Sequence, residues 1–311
     1  MYYIGIDIGG TNIAGGIVTT SGRIITKFSI PTRKERKTNE IMDDIIKLCM
    51  TLCENSGINL ESIGSVGIGC PGTVDDKNGV VSYCNNIPMN NYPMREYLTE
   101  KLDKRIRLVN DANAAAFGEY LVNGNECSSF LMITLGTGVG AGIVIGGKLY
   151  AGFRGFASEA GHMTLVHNGH PCTCGKRGCW ESYASVTALI RQTKEAAEAH
   201  PESSLNDNIR ERGRVSGRTA FEEAKKGDET AIEVVSKYCE YVADGVTSLI
   251  NIFEPERVCI GGGISREGDT LLDPIREYVR KYEYYRYCDR TTIEAAELHN
   301  DAGIIGAALF E

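Results

Sequence analysis

Three groups of residues in this 311-residue chain have the types and spacing to do chemistry. The densest is a set of thiols and imidazoles. Cys172, Cys174 and Cys179 crowd into eight residues, preceded by His162, His167 and His170. Zinc takes thiolate and imidazole ligands in closed, tetrahedral structural sites, and Gly175 and Gly178 would let so short a loop fold back on an ion. His162 completes a His-x9-Cys-x-Cys-x4-Cys pattern. His167 and His170 are rival ligands on chemical grounds, with Pro171 restricting the second. The plain alternative is three buried free thiols in one loop.

The second group is a pair of glycine-rich turns. Ile4 to Val18 reads strand, turn, strand, and Leu131 to Ile145 repeats the design. With Gly9 set on Gly136, Gly5 falls on Met132, Asp7 on Thr134, Ala14 on Ala141 and Gly15 on Gly142. A Walker A loop needs Lys-Ser/Thr opening a helix, and a Rossmann turn also leads into a helix. Here β-branched residues follow both turns, so a dinucleotide-binding unit is disfavoured. A strand–glycine loop–strand can instead offer backbone N–H groups and a hydroxyl to an anion. Two such loops, with Asp7, Thr11 and Thr137 placed at their tips, could hold the two ends of a triphosphate. Two empty hairpin turns are the bland reading. The third group is Asn110-Asp111, between a short strand and an Ala-rich helix. A carboxylate there is either a helix cap or a group placed to take a proton.

The elements that must position these groups alternate. Ile41, Ile45, Leu48 and Leu52 lie at helical spacing within Asn39 to Asn55. Ser62 to Ile68 reads as a strand running to a turn at Cys70-Pro71-Gly72, and Arg105 to Val109 as a strand before a helix over Ala112 to Leu121. Asp228 to Phe253 is a long amphipathic helix closed by Pro255. Arg257 to Ile260 is a strand entering Gly261-Gly262-Gly263, and Ala302 to Phe310 a last helix. Thr32 to Lys37 reads as a solvated basic face or loop, His200 to Arg218 as a surface loop, and Tyr282 to Tyr287 as an exposed or interface helix. Two similar αβ domains, each opening with a hairpin, are the expected organisation.

Composition sets outer bounds. With 42% hydrophobic and 24% charged residues the chain is globular. A net charge of -8 and a pI near 5.3 disfavour nucleic-acid and anionic-membrane partners. No apolar run approaches the ~18 residues of a membrane span, and Met1-Tyr-Tyr-Ile-Gly-Ile-Asp7 is no signal peptide. A cytoplasmic location is expected. Eight of the eleven cysteines are scattered, which reads as buried reduced thiols rather than a disulfide framework.

Asp7-Ile-Gly-Gly-Thr11, Leu135-Gly-Thr-Gly138 and Gly261-Gly-Gly263 resemble the phosphate and adenosine motifs of sugar kinases with the actin/hexokinase-like (ribonuclease H-like) ATPase fold. Glu159-Ala-Gly-His162, followed by Cys172-Thr-Cys-Gly-Lys-Arg-Gly-Cys-Trp-Glu181, resembles the signature of the ROK family (repressors, open reading frames and kinases). The resemblance runs in order over nearly the whole chain. It implies an α/β fold of two domains, 1–112 plus 300–311 and 113–299, with a ligand cleft between them, and a homodimer.

It also implies roles. Asp111 would be the general base toward a hexose hydroxyl. Gly72, Asn110, Asp111, Glu159, His162 and Glu181 would hold the sugar. Asp7, Gly9, Gly10, Thr11, Asn12, Gly136, Thr137, Gly138, Gly261, Gly262 and Gly263 would bind ATP, with Asp7 positioning Mg2+ through water. His162, Cys172, Cys174 and Cys179 would hold structural zinc, whose bound imidazole could donate to a sugar hydroxyl. Many members have lysine where this chain has Asn12, so Mg2+ and the backbone would have to neutralise the phosphates here. The segment Asn85-Asn-Ile-Pro88 resembles a loop of glucokinase-type members, which favours glucose over N-acetylmannosamine, N-acetylglucosamine, fructose or allose. The family also includes sugar-responsive repressors, which carry a winged helix-turn-helix ahead of the first phosphate loop. Here that loop begins at residue 7. A sugar-sensing regulator without catalysis is the remaining alternative.

Overall fold

The computed structural model describes residues 1–310 except Asn85, Asn86 and Arg286, so the Asn85-Asn86 part of the glucokinase-type loop lies outside the described residues. The chain divides into two compact units. Unit 1 is Met1–Met132, Gly142–Ser158 and Glu297–Glu311; unit 2 is Ile133–Ala141 and Glu159–Ala296.

The first sheet begins with β1 (Tyr2–Ile8), β2 (Asn12–Thr19) and β3 (Ile24–Pro31). After helix α1 (Thr38–Ser56) come β4 (Ile63–Cys70), a short antiparallel pair β5 (Thr73–Asp75) and β6 (Val80–Tyr83), helix α2 (Met94–Leu102), β7 (Arg105–Asn110) and α3 (Asp111–Glu119). The second sheet uses β8 (Ser129–Leu135), β9 (Val139–Ile145) and β10 (Lys148–Leu149). Helices α4 (Glu181–Ala184), α5 (Val186–Ala199), α6 (Leu205–Arg212), α7 (Thr219–Ala224) and α8 (Glu229–Phe253) precede β11 (Arg257–Gly261), α9 (Asp269–Tyr282), β12 (Thr292–Ala295) and α10 (Asp301–Leu309). The sheets run β3-β2-β1-β4-β7 and β10-β9-β8-β11-β12. Each is a three-strand meander whose first strand continues into two later strands. The repeat seen in the two glycine hairpins therefore extends to whole sheets.

Local chemistry explains the elements. Ile4, Ile6 and Ile8 on one face of β1 are fully buried, as are Ile41, Ile45 and Leu52 of α1. The α1 helix starts with the Lys37 N–H donating to Glu40 Oε2 at 3.0 Å and stops at left-handed Gly57. Helix α8 is capped by Asp228, which accepts from the Ala231 N–H at 2.8 Å. Helix α10 is almost wholly buried and lies directly on strand backbone: a Cβ on Gly67 would sit 1.7 Å from Ala307 O, and one on Gly306 1.8 Å from Ala114 O. Only hydrogen fits at those points, so α10 meets the backbones of β4 and α3 directly there, while Ile304, Ile305 and Ala308 pack beside Val18.

Helix α3 lies in unit 1. Two expectations are corrected. The presumed loop His200 to Arg218 contains α6, tied down by Asn208 Nδ2 on Glu223 Oε1 at 2.7 Å and by Ser203 and Ser204 on Asp228. Among the described residues of the tyrosine stretch no helix continues past Tyr282, where α9 ends; Glu283 is extended. Seven of the eight scattered cysteines are buried, whereas Cys288 is exposed.

Candidate functional site

In unit 1 the candidate residues collect at the carboxyl ends of β1, β4 and β7. The loop after β1 is tight, with the Gly9 N–H donating to Asn12 O at 2.9 Å. Its brace is Thr32, which is fully buried; its hydroxyl donates to Gly9 O at 2.6 Å and its N–H to Thr11 O at 2.9 Å. Thr32 was read as part of a solvated segment. Its role depends on β3 pairing with β2, which no local pattern announces. Gly10, Thr11 and Asn12 are exposed at the tip. Asp7 is not at the tip but inside β1, walled in by Gly69 and Gly303, where a Cβ on Gly303 would lie 2.9 Å from its Oδ2. Burial, and then the charge of Asp111, push its carboxyl up from 3.8 to about 7. The two carboxyls therefore feel one another.

Helix capping falls to Asn110 rather than Asp111. Asn110 Oδ1 accepts from the Ala112 and Asn113 N–H groups at 3.0 and 3.1 Å, and its Nδ2 donates to Gly72 O at 3.0 Å. This ties the turn after β4 to the start of α3. Gly72 has φ 87°, and a Cβ there would meet Tyr83 O at 2.2 Å, so the turn requires glycine. Asp111 is the first residue of α3, half-buried, with Oδ1 accepting from the Ala112 N–H at 2.9 Å.

In unit 2 the loop after β8 is held from behind. The Val186 N–H donates to Gly136 O at 2.8 Å, and Thr187 Oγ1 to Thr137 O at 2.7 Å. Glu181 Oε2 accepts from the Val139 N–H at 3.1 Å and packs against Gly138, where a Cβ would be 2.3 Å away. Gly262, with φ 91°, presses on Leu135 O, so the Gly261–Gly263 turn lies beside the same loop. The buttress of Val186 and Thr187 went unread, because only the tertiary structure brings α5 to the loop.

Glu181 also joins this loop to the thiols, its Oε1 lying 3.7 Å from Cys172 Sγ. Glu159 belongs to the same group: burial raises its pKa, His162 opposes the rise and Glu181 adds to it. His162, Cys172, Cys174 and Cys179 present ligand atoms all within 4.8 Å of one another. Cys174 and Cys179 Sγ are 3.6 Å apart, as are Cys172 Sγ and His162 Nδ1. A tetrahedral ion with ordinary metal–sulfur and metal–nitrogen bonds demands edges of about 3.8 and 3.6 Å. Burial and then the neighbouring thiols push Cys179 up to about 12, a conflict that a bound cation removes. The donors therefore fit a metal ion. The rival imidazoles are engaged elsewhere, His167 with Asn168 and His170 with Arg191 and Tyr183. The loop can close because Gly178, at φ 81°, packs its Cα on Val166 O.

The sequence pattern of the ROK family matches residues 3–311. The chain belongs to the ROK family. It is 36% identical over 307 residues to a glucokinase of Halalkalibacterium halodurans, covering 98% of this chain and 93% of that enzyme. A glucokinase of Streptomyces coelicolor is 37% identical over 312 residues, covering 98% and 96%. Among solved structures, a ROK family glucokinase from Streptomyces griseus in complex with glucose and AMPPNP superposes with a TM-score of 0.85 at 36% identity, over 99% of this chain and 98% of that one. ROK membership carries with it the two-domain actin/hexokinase-like ATPase fold. Among the described residues no helix is long and apolar enough to cross a membrane.

Proposed function

We propose that this protein is an ATP-dependent glucokinase, converting glucose and ATP to glucose 6-phosphate and ADP, and that it works as a homodimer. The observation that carries the reading is the likeness, over nearly the full length of both chains, to enzymes named glucokinase. From unit 1, Asp111 accepts the proton of the sugar 6-hydroxyl as its oxygen attacks the terminal phosphorus. The bond from that phosphorus to the ADP oxygen breaks, and ADP leaves with the electron pair. Such transfer asks the protein chiefly for positioning and charge stabilisation. Gly9 to Asn12 offer backbone N–H groups to phosphate. Asp7 would hold water-bound Mg2+, which supplies the positive charge that Asn12 lacks; a cation also favours ionisation of a carboxyl that burial holds near neutrality.

From unit 2, Gly136, Thr137 and Gly138 take phosphate and Gly261 to Gly263 take the adenosine. Glu159, Glu181 and His162 bind sugar hydroxyls, since each carboxylate accepts more than one hydrogen bond. Gly72 and Asn110 add contacts from unit 1. His162, Cys172, Cys174 and Cys179 would hold zinc, a structural ion that fixes the imidazole's orientation. The test is a kinetic panel with Mg-ATP. Glucose is expected to give the highest kcat/KM among glucose, N-acetylmannosamine, N-acetylglucosamine, fructose and allose. A higher value for another sugar reassigns the substrate, and no turnover with any of them overturns the kinase reading.

A further inference from the structure

Unit 1 contains a cavity of ≈ 940 Å³ at the amino ends of β1, β4 and β7, the opposite end of the sheet from Asp7 and Asp111. Three cations line it, Arg105, Arg107 and Lys148, and among the described residues no carboxylate does. Arg105 and Lys148 have no ion-pair partner among the described residues. Arg107 meets Asp76 through NH1 at 3.2 Å, but Asp76 is shared with Arg95 and the Leu108 N–H, and the buried Nε of Arg107 has no partner. The positive charge is therefore under-compensated. Opposite it stand Phe117 at the end of α3 and Phe310 just after α10, half-buried and edge to face with ring centroids 6.5 Å apart. Ser65 adds a hydroxyl to the lining.

Isolated surface cations are ordinary. Here, however, two of them have no ion-pair partner among the described residues and surround a concavity roomy enough for a small molecule, beside a partly exposed aromatic pair. Guanidinium and ammonium groups favour phosphate oxygens, and an aromatic surface favours a planar or apolar body. We propose that this cavity is a second ligand site, which takes an organic phosphate with its phosphoryl group on Arg105, Arg107 and Lys148 and its ring or apolar body on Phe117 and Phe310. The site is distinct from both glycine loops and does not depend on which hexose the protein uses.

Calorimetric titration with phenyl phosphate and with inorganic phosphate tests this, in the presence of Mg-AMPPNP to fill any triphosphate site. Phenyl phosphate is expected to bind saturably and more tightly than inorganic phosphate. Arg105→Ala and Lys148→Ala change exposed side chains and leave the fold intact; each should weaken phenyl phosphate about tenfold or more, the worth of a charge-assisted contact. Phe310→Ala should weaken phenyl phosphate but not inorganic phosphate. No saturable binding of either probe up to about 10 mM, or affinities unchanged in Arg105→Ala and Lys148→Ala, would overturn the proposal. Binding that emerges only when Glu311 is deleted would assign the cations to the chain's own carboxylates and equally overturn it.

Discussion

In unit 1 the strand that enters the glycine loop carries a carboxyl, Asp7, whose proton is held to about pH 7 by burial and by Asp111. In unit 2 the aligned position is Thr134, and a carboxylate reaches the loop from outside the hairpin instead, Glu181 on the Val139 N–H. The strand order of the two sheets is the same. The two sheets thus share a backbone frame, while charge is set separately on each. The first loop gathers two acids that repel each other and suit a divalent cation. The second spends a carboxylate on one of its own N–H groups and is tied through it to the thiols proposed to hold zinc. The comparison separates what a hairpin supplies, turn geometry and N–H groups, from what its surroundings must add.

The strongest way to break the comparison is Asp111→Asn. Turnover should fall about 10²–10⁴-fold while calorimetry still records glucose binding. Retained turnover would remove Asp111 as the base. Next is Cys174→Ser in the other unit. Metal analysis should find less than one zinc per chain, and the melting temperature should drop by roughly 5 °C for a loss of about 2 kcal/mol. Unchanged metal content and melting would refute the site. The smallest effect sharpens the contrast between Asp7 and Thr134. A carboxyl whose folded pKa is raised stabilises most fully below its unfolded value of 3.8, and that stability is lost as pH rises through about 7. Without Mg2+, Asp7→Asn should therefore gain stability over the parent by about 1 kcal/mol more at pH 8 than at pH 6. Parallel curves from denaturant titrations would show that Asp7 does not titrate there.

The frame was legible because it is periodic. Both hairpins, α1 and α8 follow from apolar spacing, and the strand ends at Cys70 and Asn110 from the turn and cap residues beside them. The gathering of Cys172, Cys174 and Cys179 with a histidine was legible from spacing, although only the structure separates His162 from His167 and His170. What escaped is held by contacts distant in sequence. Helix α6 has few apolar residues and owes its place to Glu223 and Asp228. Thr32 braces a loop two strands away. Glu119 is 1% exposed and accepts from the Glu297 and Leu298 N–H groups at 2.9 and 3.1 Å, fixing where the chain re-enters unit 1. Nothing in its own neighbourhood marks it.

The glycine-lined seam between α10 and the first sheet has a consequence for synthesis. All of unit 2's sequence is translated before α10, so a nascent chain carries a first sheet with no cover over Gly5 and Gly67 until α10 leaves the ribosome. Until then that apolar strip is open to mispairing or to chaperones. Because the filling backbone must come within hydrogen-only distance, no bulkier substitute can occupy the gap, and completion of the first sheet waits on residues made after all of unit 2.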